Sequence, residues 1–135
     1  MPFDLTWEPR GVLRRYFGAV TIAERLRSFE MICADPRFDA LRFTITDYRD
    51  VVDYEIDEMA TAEIAALHVA PSLTNPNLVL AAVVTDERII AAIKHFVSLG
   101  FTAQPYEIFA DEAAARAWIE HRLATSSTLP RFEWR

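Results

Sequence analysis

The stretch "LVLAAVVTDERIIAAIKHFVSLG", residues 78–100, sets the architecture of this chain. Its first seven residues are apolar without a break, far short of the ~20 needed to cross a membrane. They are also too continuous for a strand with one wet face, so they read as a strand covered on both sides, as in a parallel sheet flanked by helices. Asp86 then stands where an N-cap belongs. Ile89, Ile93, Phe96 and Val97 recur at helical spacing as an inward stripe, and Gly100 lies just past the helix end.

The same alternation continues on either side. Upstream, "LRFTIT" at 41–46 is a β-rich run, followed by a helical pattern from about Asp57 to Val69 with Met59, Ile64 and Leu67 as its apolar positions and Pro71 closing it. Before that, "TIAERLRSFEMICADP" opens on a Thr21-x-x-Glu24 capping box. Ile22, Leu26, Phe29 and Cys33 form its buried stripe, and Pro36 follows its end. The opening "FDLTWEPRGVLRRYFG" reads as a hairpin around Pro-Arg-Gly, with Phe3, Leu5 and Trp7 on one face. Downstream, "YEIF" at 106–109 is a short strand, and Asp111 starts an Ala-rich helix anchored by Trp118. The order β-β-α-β-α-β-α-β-α predicts an α/β sandwich with a largely parallel sheet, a single domain over 1–135 with a tail at 124–135.

Charge is uneven. Between residues 46 and 63, Asp47, Asp50, Asp53, Glu55, Asp57, Glu58 and Glu63 face Arg49 alone, a sum of −6 that equals the net charge of all 135 residues. This segment leaves the carboxyl end of the 41–46 strand, where open α/β sheets place their sites. It predicts an electronegative surface that docks a protein partner with a basic face, through Asp47, Asp50, Asp53, Glu55, Asp57 and Glu58. Nucleic acid is disfavoured, since phosphates need clustered cations. The single Cys excludes an internal disulfide framework, and the N-terminus lacks the apolar core of a signal peptide, so the expected compartment is the cytoplasm.

Little else carries chemistry. The carboxylates lack the Gly and the bidentate Glu of an EF-hand loop, so no metal site is expected. There is no G-x-S-x-G, P-loop or G-x-G-x-x-G, and three Gly residues leave little backbone to wrap phosphate, so no cofactor and no catalytic residue are predicted. His95 and His121 fall on charged helix sides. His68 falls in the last turn of its helix, where the dipole favours a partly cationic imidazole, and Cys33 reads as a buried, inert thiol. Phe132 and Trp134 put large apolar area on the tail, and with the edge strand of the hairpin they suggest a homodimer contact.

The element order and the motif "LRFTITD…D" resemble the STAS-type fold of anti-sigma-factor antagonists, the SpoIIAA-like superfamily. The stretches "ADPRFDALRFTITDYRDV", "LTNPNLVLAAVVTD" and "YEIFADEAAARAWI" resemble uncharacterised bacterial relatives within it. The resemblance implies a mixed, mostly parallel sheet of about five strands with about four helices. In its regulatory members a strand-ending Asp is followed by an Asp-Ser-x-Gly element whose Ser is phosphorylated. Asp47 matches that Asp and "DEMA", 57–60, is the nearest second element, with Glu58 at the Ser position and Ala60 at the Gly position. Glu58 cannot be phosphorylated, so the resemblance implies a non-enzymatic interaction module without the switch. The same relatives are likened to the CRAL-TRIO lipid-exchange fold, which implies binding of a lipid-like or other apolar small molecule as the alternative. An enzyme using Asp or His residues is the third.

Overall fold

The computed structural model describes residues 2–101 and 104–127. Strand β1 (Phe3–Glu8) turns at Pro9-Arg10 into β2 (Gly11–Val20), and the pair is antiparallel as expected. Helix α1 (Ile22–Ala34) and a 3-10 turn (Phe38–Ala40) lead to β3 (Phe43–Tyr54). Helices α2 (Glu58–Leu67) and α3 (Val69–Thr74) precede β4 (Val79–Val83). Helix α4 (Glu87–Ser98), β5 (Tyr106–Phe109) and α5 (Glu112–Ser127) complete the fold. The sheet runs β1-β2-β3-β4-β5 in chain order, and every pair after the first is parallel.

The two faces carry different loads. Phe43, Ile45, Val79, Ala81 and Val83 pack against Ala115 and Ile119 of α5. The opposite face meets α4 through Tyr16, Ala82, Val84, Ile89 and Ile93, and meets α1 and the 3-10 turn through Val12, Ile32, Phe38 and Leu78. β4 is therefore covered on both sides, which accounts for its continuous apolar run. Local signals behave as read: Thr21 and Glu24 form the capping box, Asp86 accepts from the N–H groups of Arg88 and Ile89, and Gly100 takes a positive φ of 70° past α4.

Four local expectations are corrected. First, β3 does not stop at 46 but runs on to Tyr54, so Asp47, Asp50 and Asp53 belong to a strand and not to a loop. The continuation is rich in β-formers (Tyr48, Val51, Val52, Tyr54) and pairs with the upper half of β2. Two register shifts insert extra residues into β3, so Tyr48, Val51 and Tyr54 face the core at a spacing of three, and Asp50, Val52 and Asp53 face out. Second, the helix expected over 57–69 breaks at His68. Pro71 sits in the first turn of α3, where its missing N–H leaves no bond unmade. Third, α2 buries Thr61, Ile64 and Ala65, leaving Met59 and Leu67 at 73% and 51% exposure. Fourth, α1 buries Ser28 and Ile32 most deeply and its expected stripe is half-buried, while Val97 of α4 is exposed.

Candidate functional site

The six carboxylates do not form one site. Asp47 is buried on the α5 face, where its Oδ1 accepts from the Arg49 backbone N–H at 3.0 Å and its Oδ2 lies 2.9 Å from Arg49 Nη2. Burial pushes its carboxyl up, but the Arg49 hydrogen bonds and charge outweigh that and hold it below the usual range. From Arg49 a chain of ion pairs runs through Glu112 and Arg116 to Glu8, tying β3 and α5 to the opening hairpin. Glu55 accepts the N–H of Ile22 at 2.9 Å and so serves the N-terminus of α1. Asp50, Asp53, Asp57 and Glu58 are exposed, and Asp57 is the N-cap residue of α2 without a side-chain bond. Among the described residues no group of acids, His or Cys could hold a metal ion. Phe132 and Trp134 lie outside the described residues.

What the structure does bring together is a cavity of about 100 Å³ under the helices. Its floor is the inward face of the sheet: Arg14 and Tyr16 of β2, Thr44, Thr46 and Tyr48 of β3, Leu80 of β4 and Tyr106 of β5. Phe29 of α1, Ile64 and His68 of α2 with its cap, and Ala92 and Phe96 of α4 form its roof and walls. The site thus lies on the sheet face and not beyond the strand ends, and among the described residues no carboxylate lines it. Helices α2 and α3 cover it while touching the rest of the molecule chiefly through α4.

Two features give the cavity its chemistry. The first is aromatic. Phe29 stacks on His68 at 3.9 Å between ring centroids, His68 meets Phe96 edge-on at 4.9 Å, and Phe96 lies 6.1 Å from Tyr106. The His68 imidazole is held by Nδ1 against the Ile64 carbonyl at 2.8 Å. Burial drives its pKa down to about 4, a bond to Ile64 opposes this, and the charge of Arg14 adds to the fall. The expected cationic imidazole is therefore corrected: the ring points inward and is neutral, because desolvation outweighs the helix dipole. Burial likewise raises the pKa of the Tyr48, Tyr54 and Tyr106 phenols, keeping them neutral.

The second feature is Arg14. Its Nε and Nη2 donate to Thr46 Oγ1 at 3.3 and 3.0 Å, and Nη1 donates to Ser28 Oγ at 2.9 Å. Ser28 donates to the Arg25 carbonyl at 2.9 Å, so the Tyr16 hydroxyl must be the donor in its 2.7 Å bond to Ser28. Among the described residues no carboxylate pairs with Arg14. The residue was missed in the sequence although period-2 counting from Val12 places it inward with Tyr16. Its neighbour Arg15 takes the outward position in the same alternation.

The fold so defined is SpoIIAA-like: one antiparallel pair, the remaining strand pairs parallel, and helices on both faces. A solved structure of an uncharacterised DUF3478-family protein with a SpoIIAA-like fold, from Shewanella loihica PV-4, is similar over 87% of this chain and 91% of its own. The TM-score is 0.54 and the identity 14%, so the likeness concerns the fold. No protein-family model and no curated protein matches the sequence. Among the described residues no helix is long and apolar enough to cross a membrane.

Proposed function

We propose that the protein is a non-enzymatic binder of a small, mainly apolar organic molecule, held in the cavity between the sheet and helices α1 to α4. The observation that carries this is the cavity itself. A native interior packs to about crystal density and leaves few voids larger than a water, yet here about 100 Å³ stays open, walled by Phe29, Phe96 and the ring of His68. A dry engineered cavity of roughly 150 Å³ takes up benzene, so a single ring or short chain is the right scale. The test is to titrate toluene and follow the Ile64 and Ile93 methyl resonances, with Ala92→Phe as the blocked form. Saturable shifts that vanish in Ala92→Phe are expected. An unaltered protein that shows no saturable shift, or a variant that responds equally, rejects the reading.

A second reading is carried by Val52, which is 87% exposed between Asp50 and Asp53. An apolar side chain flanked by carboxylates suits a protein partner with a basic face and an apolar recess. If Asp50, Asp53 and Glu58 all reversed to Lys leave every co-purifying partner in place, that reading fails.

A further inference from the structure

The geometry points to a more specific ligand class for this cavity: a compact organic carboxylate whose ring or chain lies among Phe29, Phe96 and Tyr106 and whose acid group pairs with Arg14. The inference rests on the reading of the cavity as a ligand site and adds what the ligand must carry. Arg14 is largely buried and lines the cavity, with its guanidinium hydrogen-bonded between β3 and α1. Taking an ion out of water costs several kcal/mol unless an opposite charge compensates it. Among the described residues no such charge pairs with it. Its acceptors are two neutral hydroxyl oxygens, Thr46 Oγ1 and Ser28 Oγ, and Arg25, which also lines the cavity, has the same sign. Arg25 is itself engaged with the Tyr54 ring at 4.6 Å and the Glu55 carbonyl at 3.2 Å, and among the described residues it too has no carboxylate partner.

The hydroxyl network also defines what remains. A guanidinium has five N–H groups, and the three bonds to Thr46 and Ser28 leave one N–H on each terminal nitrogen. Both are available to a carboxylate as charge-assisted donors. The anchoring is preorganised, because Ser28 is locked between Tyr16 and the Arg25 carbonyl in the middle of α1. The aromatic surround then accepts the apolar body. A guanidinium needed only for structure would be better paired with one of the chain's many carboxylates, several of which stand unengaged on the adjoining strand.

The test compares matched ligands on the unaltered protein: benzoate against benzamide, of nearly equal shape, followed by the Arg14 Nε–H resonance and the Ile64 and Ile93 methyl groups. Benzoate is expected to bind at least about ten-fold more tightly, the difference charge assistance confers on a buried hydrogen-bonded pair. In Arg14→Met, with fold checked by circular dichroism, the preference is expected to disappear while toluene still binds. Equal affinity for benzoate and benzamide on the unaltered protein overturns the carboxylate inference and leaves the cavity reading standing. Failure of toluene, benzoate and benzamide alike to shift the cavity resonances removes both. A purely structural Arg14 would lower stability in the Met variant without moving the ligand preference, and that result also refutes the inference.

Discussion

His68 makes the fold acid-sensitive in a window that can be calculated. Its pKa falls from 6.5 to about 4 on folding. Between those values the unfolded chain binds a proton that the folded one does not, so stability rises with pH and is lost as pH falls. Integrating the difference gives a loss of ~2 kcal/mol from pH 7 to pH 5 and ~3 kcal/mol by pH 4. With a urea slope of ~2 kcal/mol/M, the denaturation midpoint should fall by about 1 M between pH 7 and pH 5. His68→Asn keeps a donor for the Ile64 carbonyl and removes the titrating ring, so its curve should be nearly flat over the same range, whatever its absolute stability. The carboxylates with lowered pKa, Glu8, Asp35 and Asp47, respond below their ordinary values of 3.8 to 4.5 and do not contaminate the upper window. The charged and titratable groups around the ring are Arg14 of β2, Arg25 of α1 and Tyr106 of β5, and burial raises the Tyr106 phenol further above this window. Parallel pH slopes for the two proteins between pH 5 and 6.5 would show that the imidazole is solvated, and the inward placement of His68 would be wrong.

Three further outcomes follow from the packing. A Cβ at Gly11 would run directly into the Phe43 ring, so Gly11→Ala should cost about 1–3 kcal/mol in chemical denaturation, and Phe43→Leu in the same chain should recover part of it. Burial raises the Cys33 thiol from 9.0 to about 11, so iodoacetamide at pH 8 should label the native protein roughly 100-fold more slowly than the urea-unfolded chain. Thr21→Ala removes the acceptor of the Glu24 N–H at the start of α1, and a loss of ~1 kcal/mol is expected by thermal denaturation.

The fold was legible in the sequence wherever one local signal governed one element. Asp86, Gly100 and the Thr21–Glu24 pair act through their own backbone neighbours, and the doubly apolar 78–84 run needs only cover on two faces. Legibility ended where a tertiary partner chose between local options. Met59 and Leu67 have the hydrophobicity of core residues, but α2 lies over a cavity lined by Ile64 and His68, so its inward face is set by what roofs that space. The helix around His68 carries only the dipole signal, and Phe29 and Phe96, which remove the ring from water, come from 39 residues before and 28 after. Arg14 was hidden because its meaning lies in the carboxylate that is not beside it, and no spacing rule reports that.

The bulged second half of β3 links the two candidate surfaces. Past Asp47 the strand has β2 on one side and no further pairing with β4 on the other, so that edge carries no strand partner. The two register shifts replace the alternation by a spacing of three, which turns Val51 inward between Tyr48 and Tyr54, the two rings that wall the cavity, and leaves Asp50, Val52 and Asp53 facing out. Charges on an open edge discourage pairing with another chain's strand, and that physical role accounts for their concentration without a partner. Val52 is not accounted for in this way. A strand that needed only solubility and edge protection would carry a polar side chain there, and an 87%-exposed valine between two aspartates is the feature of the acidic surface that a docked partner would explain and the sheet does not.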